Sequence, residues 1–156
     1  MQTQPELETV KAKMLAEELN DLIAYLHIFY MNVKVFEWNI NGNNYFELNL
    51  KFEKIYSESI LSKIDEIAEQ ILALGFIPDY SFSTYLKKVS IEAISGTAKA
   101  NKAVQEILES SQVILGLEKK LLEHARKFGE EEICTLMKGY VKDQEKYAVA
   151  FTGSMK

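Results

Sequence analysis

The most restrictive feature of this sequence is a row of apolar residues spaced alternately four and three positions apart. Its members are Leu15, Leu19, Leu22, Leu26, Phe29, Val33 and Phe36. Side chains at this spacing lie on one face of an α-helix, so the pattern predicts a long amphipathic helix. Such a helix is stable only when its apolar face packs against a partner, and the chain must therefore supply further helices.

A second helix follows a break at residues 41–44, Asn-Gly-Asn-Asn, which combine residues that cap helices with residues that accept positive φ. It begins near Tyr45 and ends at Gly75, a residue suited to terminate a helix. Its apolar face repeats the same spacing at Ile60, Ile64, Ile67, Ile71 and Leu74.

Two more helices are predicted in the second half of the chain. The third covers Thr97–Lys127 and is ended by Gly129, although Ser111 and Glu118 interrupt its apolar face. The fourth is marked by Ile133, Met137, Tyr140, Tyr147 and Phe151. No segment has the alternating pattern of a β-strand.

The connection between the second and third helices is long, whereas the other two connections are short. Pro78 and Gly96 bracket it, and the segment STYLKKVS inside it predicts a short helix. Four long helices with one long crossover predict an all-α fold, a ferritin-like four-helix bundle whose crossover connection carries a short helix. We expect residues 1–156 to form a single domain of this type.

Charge and composition argue against DNA binding, membrane insertion and cysteine chemistry. The net charge of -5 opposes binding to phosphate backbones, and the N-terminal segment offers only Lys11 and Lys13, so we expect no direct DNA binding. No run of roughly 18 apolar residues occurs, and we expect a cytoplasmic protein without a membrane segment. The one cysteine, Cys134, lies among apolar neighbours and is expected to be a buried, inert thiol.

Acidic and amide side chains on the second helix are the candidate functional residues. Asn49 and Glu53 share one face, and Asp65 and Glu69 share another, but the pairs are about 18 Å apart along the axis and about 120° apart around it. Two copies of this helix packed antiparallel across a twofold axis would bring them together, and Glu37 could join them. The alternative is a solvated helix face. His27 and His124 lack a Glu three residues earlier and are expected to be ordinary histidines.

The stretch from His27 to Leu86 resembles the signature region of the Dps family, the mini-ferritins named as DNA-binding proteins from starved cells. The matching elements, in order, are Trp38-Asn39, Gly42, Tyr45-Phe46-Glu47-Leu48, Phe52-Glu53, Ile64-Asp65-Glu66-Ile67-Ala68-Glu69 and Phe82-Ser83. The resemblance implies a dodecameric hollow shell, a homo-oligomer that oxidises ferrous iron at sites shared between twofold-related subunits and keeps ferric mineral inside.

The carried-over ligand set departs from the family pattern. Glu53, Asp65 and Glu69 match family ligands, whereas Glu37 and Asn49 stand where the family has histidines. Leu50 and Lys54 stand where it often has carboxylates that seed the mineral. The predicted metal ligands are therefore Glu37, Asn49, Glu53, Asp65 and Glu69, an all-oxygen set that suits iron less selectively than imidazole and also suits other divalent metals.

These departures leave two hypotheses open. The first is an active mini-ferritin with Glu37, Glu53, Asp65 and Glu69 as the catalytic carboxylates. The second is a catalytically silent Dps-like protein that keeps the shell for a structural role, for mixed assembly or for binding another ligand. The acids Glu130–Glu132 lie where the family's acidic pores occur, but they equally suit a helix N-terminus. Trp38 and Tyr30 are expected to pack in the core rather than to intercept radicals.

Overall fold

The computed structural model of the chain describes residues 4–39, 58–89 and 100–154. These ranges contain five α-helices, which are α1 (Gln4–Asn39), α2 (Glu58–Ala73), α3 (Phe82–Lys88), α4 (Ala100–Phe128) and α5 (Glu131–Ser154). No strand occurs within them, and the predicted all-α class is confirmed. The predicted break at residues 41–44 and the start of the second helix near Tyr45 lie outside the described residues. No helix in the three ranges combines the length and the apolar character needed to cross a membrane.

Helix α1 is longer than the apolar row predicts. It begins at Gln4, about three turns before Leu15. Pro5 suits a first helical turn, and the segment that follows is rich in Glu, Lys, Ala and Met, which are good helix formers. The Lys11 ammonium lies 5.6 Å from the centre of the Phe128 ring, so this early part of α1 contacts the end of α4. Residues 4–14 therefore extend the bundle.

The apolar face of α1 forms the centre of the core. Six of its seven predicted positions are completely buried, namely Leu15, Leu19, Leu22, Leu26, Phe29 and Val33. They pack against α2 and α4, and α4 packs along α5. Burying each such side chain contributes roughly 1.5–3 kcal/mol before the entropy cost of ordering is counted.

Two glycines end helices as predicted. Gly75 has φ +90° and Gly129 has φ +75°, values that residues with a Cβ rarely adopt. The next amide folds back in each case: Phe76 N donates to the Ile71 carbonyl at 3.1 Å, and Glu130 N donates to the Ala125 carbonyl at 2.9 Å. The second glycine makes the short α4–α5 turn of an antiparallel pair.

The crossover is held against α1 by polar contacts around Asp79. Its backbone N donates to Asn20 Oδ1 at 2.7 Å, its carbonyl accepts from the Tyr85 hydroxyl, and its carboxylate pairs with Lys88. Lys88 also lies 3.6 Å from Asp21 Oδ1. These contacts fix the predicted short helix, α3, across α1.

Candidate metal centre

Glu37 is a buried carboxylate near the end of α1. Its exposed fraction is 5%, which is unusual for a glutamate. Lys34, three residues earlier on the same helix, places its ammonium Nζ 3.1 Å from Glu37 Oε2. The Lys34 Nζ also lies 5.8 Å from the centre of the Tyr30 ring. Within the described residues, Glu37 thus pairs with a cation of its own helix.

Asp65 and Glu69 lie one turn apart on α2, and both are exposed. The same stripe of the helix carries Leu61 and Leu72, which are 48% and 59% exposed. Within the described ranges, neither carboxylate forms a hydrogen bond or an ion pair with another residue. The acidic pair therefore lies between two exposed leucines on the outer face of α2.

Asn49 and Glu53, the other two predicted ligands, lie outside the described residues, so the five-residue site stays a prediction. Among the residues that the structure describes, no group of three or more His, Cys, Asp or Glu side chains is close enough to hold a metal ion. The described part of one chain thus supplies two separate components, a buried Glu37 and an exposed Asp65–Glu69 pair.

Comparison with known proteins identifies the family. The family model described as a ferritin-like domain matches residues 16–153. A DNA protection during starvation protein of Porphyromonas gingivalis is 36% identical over 82% of this chain and 80% of its own length. The chain belongs to the Dps family. The Dps crystal structure from Vibrio cholerae is 36% identical, with a TM-score of 0.90 over 95% of this chain and 92% of that one. The Dps structure from Bacillus brevis is 25% identical, with a TM-score of 0.88 over both complete chains.

These similarities confirm the predicted ferritin-like fold. The Vibrio cholerae protein is described as a member of a broad superfamily of ferritin-like diiron-carboxylate proteins. The residues at the candidate centre of this Dps-family chain have the matching donor chemistry, since Glu37, Asp65 and Glu69 offer carboxylate oxygens. Oxygen donors suit hard cations, and none of these three residues supplies an imidazole nitrogen.

The interior of the bundle contains a polar layer that sequence reasoning missed. Lys63 on α2 is 3% exposed and Glu118 on α4 is completely buried. The Lys63 ammonium lies 4.9 Å and 6.0 Å from the ring centres of Tyr140 and Tyr147 on α5. Neither carboxylate oxygen of Glu118 has a hydrogen-bond partner within the described part of the chain. A lysine of α2 and a glutamate of α4 thus occupy core positions of the bundle, next to two tyrosines of α5.

Burial controls the electrostatics of this layer. Loss of hydration raises the pKa of Glu118 from 4.5 to about 7, although the Lys63 ammonium opposes this and Asp143 adds to it. Burial likewise lowers the pKa of Lys63, while the surrounding carboxylates, Glu118 foremost, counteract that change. Burial also raises the pKa of Tyr140, with a further contribution from Glu66. The pKa values of these three groups therefore all differ from those of the same groups in water.

A second polar contact joins α4 and α5 nearby. The Ser111 hydroxyl donates to Gln144 Oε1 at 2.6 Å, and both side chains are buried. Ser111 and Glu118, which interrupt the apolar face of α4, fall at core positions in step with Ile107, Ile114 and Leu121. This spacing indicates buried polar residues, because a polar side chain in register with buried apolar ones is either buried with a partner or disrupts the helix packing.

The remaining single-residue expectations have mixed outcomes. His27 donates from Nδ1 to the Ile23 carbonyl at 2.9 Å and stacks on Tyr85, as expected of an ordinary histidine. Cys134 is partly buried against the core. The expectation that Trp38 packs in the core is wrong for the single chain, because this side chain is 69% exposed at the end of α1.

An acidic groove lies between α2 and α5. Its volume is about 600 Å³, and its walls carry the carboxylates of Glu66, Glu131, Glu132 and Asp143. Gln70 Nε2 donates to Glu132 Oε2 across it at 3.4 Å. Glu131 and Glu132 occupy the first turn of α5, where the helix dipole favours negative charge, and their role in a cation pore stays a prediction.

Proposed function

We propose that this chain is the subunit of a Dps-type mini-ferritin, a cytoplasmic dodecamer that binds and oxidises ferrous iron and stores ferric mineral in its hollow interior. Such a protein protects against oxidative stress by consuming iron and peroxide together. The observation that carries the proposal is the placement of Asp65 and Glu69 on an exposed face of α2 between the exposed Leu61 and Leu72.

A stripe of this composition fits an interface between copies better than a solvated helix face. The exposed apolar surface of two half-exposed leucines is removed from water only when another chain covers it. The crossover adds further exposed apolar side chains, namely Ile77, Tyr80, Phe82 and Leu86. Antiparallel packing of two α2 helices across a twofold axis would cover the stripe and direct Asp65 and Glu69 toward Glu37 and Glu53 of the other copy.

The proposed chemistry needs only positioned oxygen donors. Four carboxylates bring ferrous ions together and stabilise the ferric product more than the ferrous substrate, because the higher charge interacts more strongly with anionic oxygens. Hydrogen peroxide accepts one electron from each of two ferrous ions and, with two protons, yields two water molecules. The protein supplies binding and orientation, and the electrons come from the iron.

A catalytically silent shell protein is the second candidate, and one observation favours it. Glu37 already has a cation partner in Lys34, so that the buried carboxylate is compensated without metal. Together with the replacement of both family histidines by Glu37 and Asn49, this arrangement suits a shell that has kept its assembly and lost its oxidation chemistry.

Ferrous iron and hydrogen peroxide added to the purified protein without oxygen distinguish the two candidates. Iron that co-elutes with the large assembly on size exclusion, together with the rate of ferric absorbance, is compared between the parent and the Glu53→Ala/Asp65→Ala double variant. The Glu109→Ala/Glu123→Ala double variant removes two exposed acids of α4 and serves as the control.

The active mini-ferritin requires rapid oxidation and many iron atoms per chain in the parent and the control, with loss of both in the site variant. Equal oxidation in the site variant contradicts the proposed site. A large assembly with no more iron than an unrelated protein identifies the silent shell.

A further inference from the structure

Tyr30, Lys34 and Glu37 form a short row along one face of α1, at steps of four and three residues. The Lys34 ammonium contacts Glu37 Oε2 at 3.1 Å and lies 5.8 Å from the centre of the Tyr30 ring. An ammonium is attracted both to a carboxylate and to the face of an aromatic ring, and the carboxylate is the stronger partner. The Lys34 ammonium therefore has two attractive partners, which lie on either side of it along the helix.

Because Glu37 is buried, its negative charge needs compensation more than an exposed carboxylate does. The Glu37 side chain is 6% exposed, whereas the Lys34 side chain is 21% exposed. A carboxylate removed from water needs a compensating positive charge or must take up a proton. Lys34 provides a compensating positive charge from the same helix.

A metal ion and the Lys34 ammonium compete for this carboxylate. A metal bound to Glu37 would lie about 2–2.5 Å from its oxygen, which brings two positive charges within a few ångströms of each other in a poorly hydrated place. Their repulsion is large at such a separation. A metal ion at Glu37 would therefore weaken the contact of this carboxylate with Lys34.

We propose that Lys34 is an internal counter-cation of Glu37 that a metal ion must displace, so that Lys34 sets the metal affinity of the α1 side of the proposed site. This inference rests on the proposed function for the other ligands of the metal. Displacement needs no unfolding, because the lysine stem is flexible and partly exposed and the Tyr30 ring accepts the released ammonium. Lys34 thus controls metal affinity from outside the ligand set.

The test measures Mn²⁺ binding to the assembled protein by titration calorimetry, because Mn²⁺ prefers oxygen ligands and is not oxidised by peroxide-free buffer. Trp38, the only tryptophan and the neighbour of Glu37, gives a second readout, since a paramagnetic ion nearby quenches its fluorescence. Removing the charge by Lys34→Met is expected to tighten Mn²⁺ binding about tenfold, the typical weight of one charged hydrogen bond. Lys34→Arg retains the charge and is expected to bind as the parent does.

Two further variants test whether the effect on Mn²⁺ binding comes from the Lys34 charge. Lys119→Met removes a lysine whose partner, Glu145, is exposed, and it is expected to leave Mn²⁺ binding unchanged. Lys34→Gln removes the charge but keeps an amide donor for Glu37, and it replaces Lys34→Met if that variant fails to assemble. Both uncharged variants are expected to shift the Trp38 quenching curve to lower Mn²⁺ concentration.

The outcomes separate this inference from the proposed function. Unchanged or weaker binding in the uncharged Lys34 variants, with a parent that binds Mn²⁺ through Asp65, overturns the inference and leaves the function standing. Binding in the uncharged variants but not in the parent supports the inference and overturns the parent's function. No binding in any variant overturns both.

Discussion

The buried Glu118 yields a quantitative prediction about pH and stability. Its carboxylate is completely buried on α4, with Lys63 of α2 as the nearby cation. Replacing Glu118 by Gln keeps the shape of the side chain and removes the titrating group. The free energy of unfolding of the variant should therefore lack one pH-dependent component that the parent has.

The sign and size of that component follow from the pKa of Glu118, which burial raises from 4.5 to about 7 in the folded chain. The folded state holds the proton more tightly than the unfolded state, so the associated stability is present below pH 4.5 and is lost as the pH rises to about 7. The full difference corresponds to about 3 kcal/mol, and about 2 kcal/mol of it falls between pH 5 and pH 7.5. Glu118→Gln should thus gain about 2 kcal/mol relative to the parent over that interval.

Chemical denaturation followed by far-ultraviolet circular dichroism at pH 5 and pH 7.5, at one protomer concentration, measures this difference. Glu123→Gln removes an exposed carboxylate from the same helix and is expected to follow the parent at both pH values. A difference between parent and Glu118→Gln that changes by less than about 0.5 kcal/mol across the interval would refute the reasoning, because Glu118 would then ionise as it does in water.

Two further perturbations test the bundle and the proposed interface. Lys63→Met alone removes the cation that opposes the raised pKa of Glu118, so it should destabilise the chain more than Lys63→Met/Glu118→Leu does. The double variant should unfold at or above the parent's melting temperature, and equal loss in both variants would contradict this. Leu61→Lys should shift the assembly to smaller species on size exclusion, because it places a charge in the proposed α2 interface. Val113→Lys, at a similarly exposed position on α4, should leave the assembly intact. Dissociation of both variants would argue against the proposed interface.

The sequence predicts the helices and their buried faces well because both follow from apolar spacing. The α1 row from Leu15 to Val33 is buried as predicted, and the turns at Gly75 and Gly129 have the positive φ expected of helix ends. The start of α1 could not be predicted from that row, because residues 4–14 hold their helical form by propensity and by contacts such as Lys11 with Phe128.

The candidate site was less accessible to sequence reasoning. Spacing places Asp65 and Glu69 on one face of α2 together with Leu61 and Leu72, but it does not say that this face is exposed. It also does not show that Glu37 is buried against Lys34, because a spacing of three residues allows this contact without requiring it. The interior layer was missed because apolar periodicity counts Lys63 and Glu118 as interruptions, although both fall in step with buried neighbours.

Helix α2 separates the two sets of charges by its geometry. Lys63 precedes Asp65 by two residues and Glu69 by six, so the lysine points about 200° and 240° around the axis from them. Lys63 is buried among the other helices, whereas Asp65 and Glu69 are exposed. The interior charges therefore act on the stability of the bundle, and the outer acids are available to another copy of the chain. A loss of iron oxidation in Asp65 variants that keep the parent's melting temperature would accordingly report on the site, because the interior charged groups lie on another face of the same helix.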